Sequence, residues 1–472
     1  MVVGELAQDR QLVIVGGGPG GYHAAIRAAQ LGLEVTLIEN RDLGGVCLNK
    51  GCIPSKVQTQ AAEIWNKTQM SSTLGIPVQT KPFEWNKLQQ HQDKVIIQLR
   101  QGIEQLCKAH KIEVVKGEAT FLSDDRIGVS SGHQFDVFRF QHAIIATGHR
   151  PAPLFLEHER LLSPHTLYQQ NEKIDTLTIV GTDLYALEAA FSYQHLGTQV
   201  TLLLEQELLL EPSIGKELLR SAKKAGIVVK KKIELVTVDP NLEEVTIQYK
   251  KDDQLHAIQS SHAYVPFNWR GNTEELGLER IGVKVDQMGY VEMSAELQTS
   301  CTRIYAIGDV TGTHQLASVA IQQGKVIAER LAGKNAEWDD HFIPVVYRTQ
   351  PPIASIGWSS LQAETAGREI QVSTATFKSN GYATISGAQE GLCTVIKDSG
   401  TDELLGVHII GEGAAELIHS GTIGLEMGAR HEDFIFPMYP HPSFAEVVME
   451  AVEGLEGLAI HQPPSKQTKQ TI

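Results

Sequence analysis

Gln11-Leu12-Val13-Ile14-Val15-Gly16-Gly17-Gly18-Pro19-Gly20-Gly21 runs an apolar strand straight into a glycine-rich turn. A helix is predicted from about Tyr22 to Leu31, with Gly32 as its stop. A second apolar strand, Glu34 to Ile38, ends in Glu39. Strand, G-x-G-x-x-G, helix, strand and terminal acid together make the βαβ unit that holds a dinucleotide. Gly16 makes the tight turn, Gly18 lets a diphosphate approach the backbone, and Gly21 lets the helix pack on the strand. Pro19 and Gly20 complete the turn, and Glu39 is placed to accept hydrogen bonds from an adenosine ribose. The competing reading is a βαβ unit without a ligand, and the full set of accessory features weighs against it.

A few residues on stands Leu43-Gly44-Gly45-Val46-Cys47-Leu48-Asn49-Lys50-Gly51-Cys52-Ile53-Pro54-Ser55-Lys56. A mostly helical run from about Val57 to Trp65 puts Cys52 close to a helix N-terminus. Free N–H groups and the helix dipole there favour a thiolate, and Lys56 adds a positive charge one turn on. A two-electron redox couple needs this arrangement, with one thiol that attacks and one that stays an anion. The alternative is a structural pair or half a zinc site. Zinc pairs space as C-x2–4-C and come with a second pair, which is missing, so no metal is expected. A dinucleotide turn that leads directly into a dithiol places a redox ring against the cysteines. FAD fits this better than NAD, because an isoalloxazine exchanges electrons with a thiolate through its C4a position.

The length of 472 residues implies roughly two to four domains. A net charge of −15 without a basic stripe argues against nucleic acid, and Lys223-Lys224 with Lys230-Lys231-Lys232 reads as a solvated patch. The chain has no apolar run of about eighteen residues and no signal peptide, so no membrane is expected and the cytoplasm is the default. Five cysteines, an odd number, suit a reducing compartment. Cys107, Cys301 and Cys393 stand alone and read as buried small hydrophobes.

The fold class is α/β: two Rossmann-like dinucleotide-binding domains, for FAD and NAD, plus a C-terminal α+β domain. Residues 1–150 make the first, with the dithiol; it closes on the strand leading to Ala146-Thr147-Gly148, and Arg150-Pro151 leaves it. Residues 151–272 hold a second βαβ pattern: strand Leu177 to Val180, a turn Gly181-Thr182-Asp183-Leu184-Tyr185-Ala186, a helix Leu187 to Leu196, and strand Gln199 to Leu204. Here the motif is eroded. Asp183 stands where the backbone should approach a diphosphate, a repulsion of about 1–4 kcal/mol at about 4 Å. Leu204 takes the place of the acid that should end the second strand, and Glu205 follows it.

Residues 273–343 return to the central domain, where Gly308-Asp309 follows a short strand and Asp309 sits at the sheet edge that ligands use. Residues 344–460 form the α+β domain. In it His441 is held between Pro440 and Pro442, and Glu446 can orient it, which pairs a base with its orienter. The tail, 461–472, is polar and expected to be disordered.

With these motifs in family order over nearly the whole length, the chain resembles the flavoprotein pyridine nucleotide–disulfide oxidoreductases, most closely the dihydrolipoyl dehydrogenases. The matching stretches are Gly16–Gly21, Gly44–Lys56 (with Val46 between its glycines and Cys47), Ala146-Thr147-Gly148, Ile307-Gly308-Asp309-Val310 and His441-Pro442 with Glu446. The resemblance implies FAD along the first domain with Asp309 on its ribityl chain. It implies a homodimer built through the C-terminal domain, with His441 of one subunit beside the cysteines of the other. Cys47 is then the interchange thiol, Cys52 the thiolate against the flavin, and His441 the proton carrier held by Glu446. Lys56 pairs with Glu188 near the flavin. The implied reaction takes electrons from a small dithiol of the dihydrolipoyl type, as borne by a 2-oxo acid dehydrogenase complex, through FAD to NAD+.

The departures gather in the nicotinamide half. Besides Asp183 beside Gly181, the family's Gly-Arg-x-Pro-Asn reads Asn268-Trp269-Arg270-Gly271-Asn272, and Leu-Ala-His reads Leu316-Ala317-Ser318. The alternatives are a flavin disulfide oxidoreductase that uses oxygen, a quinone or a protein as electron partner, and a flavin-bearing binding subunit without turnover. The retained Cys47, Cys52, His441 and Glu446 argue against the last.

Overall fold

The second half of the strand Gln8–Val15, Leu12 to Val15, is a continuous apolar run buried on both of its faces, as a central parallel strand requires. Leu12 and Ile14 join one core with Leu37 and Ile144, while Val13 and Val15 join another with Ile38 and Ile145. Fully burying each such side chain contributes about 1.5–3 kcal/mol. The strand pairs in parallel with Val35–Glu39 on one side and with Gln134–Ile145 on the other. Glu113–Lys116 extends the sheet at one edge and Ile304–Ala306 pairs with Gln134–Ile145. The turn after Val15 therefore opens at the carboxyl ends of the strands, where doubly wound sheets take their ligands.

The structure is a computed structural model that describes residues 7–77, 83–155 and 157–462. The chain forms two units: Met1–Gln58, Pro82–Lys173 and Pro266–Asp339 make one, and Thr59–Lys81, Ile174–Val265 and Asp340–Ile472 the other. In the first, a two-stranded ribbon, His149–Pro153 with Phe267–Gly271, accompanies the main sheet. In the second, Val228–Lys231, Gln199–Leu204, Thr176–Val180 and His262–Tyr264 lie side by side in parallel. An antiparallel sheet, Val345–Tyr347, Ile353–Gly357, Leu404–Ile410, Leu392–Asp398 and Ile370–Thr376, carries its own apolar core around Phe377, Val395 and Ile409. Within this unit Glu211, at the start of the helix Pro212–Lys224, accepts hydrogen bonds from the N–H and hydroxyl of Ser360.

Two boundaries differ from expectation. The helix after the dithiol begins at Cys52 itself and runs to Met70. Pro54 lies within its first turn, where an N–H has no intrahelical acceptor to lose. The last helix begins at Glu446, and ahead of it the Ser443 N–H donates to the Glu446 carboxylate. His461 and Gln462, expected in the disordered tail, fold back onto this helix: His461 Nδ1 lies 2.6 Å from Glu450 Oε1, and Gln462 donates to the Glu450 carbonyl. Residues 463–472 lie outside the described residues.

Candidate active site

The first glycine turn is built by close approach. A Cβ on Gly21 would lie 1.9 Å from the Gly16 carbonyl oxygen, so no larger residue fits. Gly18 is the N-cap of the helix Pro19–Gln30 and offers no side-chain cap, which leaves the first N–H groups open to an anion. Glu39 is pinned at the edge of the turn, accepting from the Gly17 N–H and the Arg41 N–H, each at 2.7 Å. Two buried polar groups lack partners, Thr147 Oγ1 after the strand Gln134–Ile145 and Gln323 Nε2 on the helix Ala317–Leu331. Gln323 Oε1 accepts from the Gly308 N–H, and the neighbouring Asp309 carboxyl, set in a recess, is pushed by burial up to about 6. An open helix end followed by unpartnered polar groups suits a ligand with a diphosphate and a hydroxylated chain, so these residues fit FAD.

The dithiol is packed directly on that turn. The Gly44 N–H donates to the Gly17 carbonyl at 2.8 Å, and a Cβ on Gly45 would lie 2.7 Å from Gly18 Cα. Cys47 lies on the short helix Gly45–Asn49, and the Val46 carbonyl accepts from both Lys50 and Gly51 to close the turn between the cysteines. Asn49 donates to the Leu43 and Gly45 carbonyls, and Arg100, paired with Asp42, donates to Asn49 at 2.6 Å. Both cysteines are half-buried thiols that share a hydrogen bond. That bond, with burial, pushes the Cys47 thiol up, and the Lys56 charge pulls it down.

Sequence reasoning missed a group beside Asp309. His149 is buried, its Nε2 3.4 Å from Asp309 Oδ2, and its ring stacks on Trp269 at 4.1 Å between centroids. Burial, with a contribution from His165, lowers it to about 4, so it is neutral at pH 7. The signal was present as two departures, His149 directly after Thr147-Gly148 and Trp269 in the Asn268–Asn272 segment. Asn272 ties the two segments together, donating to the Thr147 carbonyl from its side chain and to the Gly148 carbonyl from its backbone.

In the second unit His441 Nδ1 lies 2.8 Å from Glu446 Oε1, and the other carboxylate oxygen accepts from the Ser443 N–H at 2.9 Å. Asn380 donates to the Ser443 carbonyl and fixes the segment. Burial alone would raise the Glu446 carboxyl, but these hydrogen bonds and the charges of His441 and His461 hold it below its ordinary value. The His441 side chain is 80 % exposed, so its far nitrogen faces outward.

The pyridine nucleotide-disulphide oxidoreductase family matches residues 10–324, and that family's dimerisation domain matches residues 343–452. The chain belongs to the pyridine nucleotide-disulphide oxidoreductases. It is 34 % identical to a dihydrolipoyl dehydrogenase of Geobacillus stearothermophilus, over 98 % of this chain and 99 % of that protein. It is 37 % identical to one of Thermus scotoductus, over 95 % and 98 %. The Cu(II) complex of an HOCl-induced flavoprotein disulfide reductase from Escherichia coli superposes with a TM-score of 0.84 at 21 % identity, over 94 % of this chain and 99 % of that one, and shows the fold. The chain is thus an FAD-dependent oxidoreductase acting on sulfur groups, in a family that works with FAD and NAD. Among the described residues no helix is long and apolar enough to cross a membrane.

Against that family pattern the second glycine turn departs. Gly181 keeps a left-handed φ of +148, but the N-cap of the helix Leu184–His195 is Asp183, whose carboxylate accepts from the Ala186 N–H at 2.9 Å. The Tyr264 hydroxyl donates to the same carboxylate oxygen at 3.1 Å. Glu188, fully buried on this helix, accepts from the Arg348 N–H at 2.8 Å. These residues fit a nicotinamide dinucleotide poorly, because the helix end that should meet its diphosphate already holds a carboxylate.

Proposed function

We propose that the chain exchanges two electrons between a dihydrolipoyl-type dithiol and FAD through Cys47 and Cys52. It does so as a homodimer in which His441 and Glu446 of one subunit serve the cysteines of the other. The observation that carries this reading is the hydrogen-bonded Cys47–Cys52 pair packed through Gly45 on an uncapped diphosphate turn. The relatives' names support the dithiol. The matched dimerisation domain supports the dimer, as do Phe436 and Met438, which are almost wholly exposed on it.

In the oxidised enzyme the two cysteines form a disulfide. His441 takes the proton of one substrate thiol, and the resulting sulfur attacks Cys47 Sγ. The Cys47–Cys52 bond breaks and Cys52 leaves as a thiolate at the start of its helix, where Lys56 adds positive charge. The second substrate sulfur displaces Cys47 from the mixed disulfide. The products are a substrate disulfide and a Cys47 thiol that carries the second proton. FAD, when bound, supplies a two-electron acceptor for the Cys52 thiolate.

Glu446 keeps its negative charge beside His441 and orients the ring for the proton transfer. A lipoyl-bearing 2-oxo acid dehydrogenase complex is the partner this chemistry suits. The cytoplasm suits the unpaired Cys107, Cys301 and Cys393.

The test is anaerobic. Dihydrolipoamide added to the FAD-loaded protein produces a long-wavelength absorbance band, the signature of a thiolate beside oxidised flavin. A flavin spectrum that the dithiol leaves unmoved overturns the reading.

A further inference from the structure

The fold presents the same glycine turn twice, once uncapped and once capped. In the first, the N-cap is Gly18, which has no side chain to cap the helix N–H groups. In the second, Asp183 holds the equivalent position, with one carboxylate oxygen bonded to Ala186 N–H and Tyr264 O–H. The other oxygen fills the turn itself: a Cβ on Gly181 would meet it at 3.1 Å. Asp183 is exposed as a residue, while desolvation of its carboxyl raises it above its ordinary value, so a ligand that enters the turn meets a carboxyl already set among its own donors. A dinucleotide would have to displace an internal anion from its own donors and then lie beside it.

A second place on the same unit tells the same way. The strand Gln199–Leu204 ends in Leu204, 2 % exposed, where a ribose-binding acid would stand. The next residue, Glu205, is turned aside and accepts from the Leu235 N–H at 3.0 Å. The diphosphate end and the ribose end of the second turn have thus both lost their recognition chemistry.

We infer that Asp183 occupies the diphosphate position of the second glycine turn with the chain's own carboxylate, and so determines that the flavin's electron partner carries no dinucleotide diphosphate. The naming of that partner rests on the proposed dithiol–FAD function; the statement about binding stands without it.

Isothermal titration of NADH and NADPH into the FAD-loaded, full-length protein tests this. The wild type binds either nucleotide no tighter than about 1 mM. Asp183→Gly, which loses the carboxylate but can still adopt an N-cap conformation, tightens binding by about tenfold or more. Asp183→Asn, which keeps the cap and drops the charge, gains less. Micromolar binding by the wild type overturns the inference. So does an unchanged affinity in both variants when their melting curves show them folded. Dihydrolipoamide added to the same samples separates the two readings. If Asp183→Gly gains nucleotide but no sample shows dithiol-driven flavin change, the dithiol function fails and the inference stands.

Discussion

Cys52→Ser lowers dithiol-driven reduction of the enzyme by about a thousandfold or more, while FAD stays bound. A serine hydroxyl cannot form the disulfide that the substrate sulfur must break, and it offers no thiolate to donate electrons. The fold has little reason to notice. Cys52 is the first residue of its helix, half-buried, and serine is tolerated at helix starts. The contact that seats the dithiol loop on the diphosphate turn runs through Gly45 and Gly18, not through Cys52. Stopped-flow absorbance with dihydrolipoamide measures the loss, and the flavin-to-protein absorbance ratio measures retention. A variant that keeps wild-type reduction kinetics removes Cys52 from the chemistry. One that loses FAD shows that Cys52 serves the fold instead.

His441→Ala costs about 10²–10⁴ in the same reduction step, again with FAD bound. The side chain is exposed, and its removal leaves Glu446 still accepting from the Ser443 N–H, so the segment keeps its anchor. Asn380 holds it from the other side. Glu446→Gln loses less. The amide still reaches His441 but no longer balances the positive charge that the ring gains when it takes the substrate proton. Supplying the substrate already deprotonated, by raising the pH, recovers part of the loss in His441→Ala and none in Cys52→Ser. Equal behaviour of the two variants across pH contradicts the assignment of the proton step to His441.

The parts of this account that could be read from the sequence are the local ones. The Gly16–Gly21 turn, its flanking strands and Glu39 lie within one βαβ unit, so their spacing carried the geometry. His441 and Glu446 are five residues apart and find each other across a single turn. The contacts that spacing could not show are the distant ones. Asp183 was legible as a carboxylate facing a diphosphate. That it caps its own helix with help from Tyr264, 81 residues away, depends on the packing of His262–Tyr264 against Thr176–Val180. His149 meets Trp269 because His149–Pro153 and Phe267–Gly271 pair as a ribbon, which neither segment announces alone. The order of His461 and Gln462 was hidden for a related reason. His461 looks like part of a polar end until Glu450, a turn beyond Glu446, takes its ring nitrogen.

The central claim is that electrons enter through a Cys47–Cys52 disulfide, with Cys47 as the sulfur that meets substrate. Iodoacetamide labelling under argon, before and after one equivalent of dihydrolipoamide and mapped by mass spectrometry, tests it most directly. The account predicts that both cysteines are unlabelled beforehand, and that label then appears at Cys47 well ahead of Cys52. Label at both before any dithiol is added, or a pattern the dithiol leaves unchanged, would contradict it.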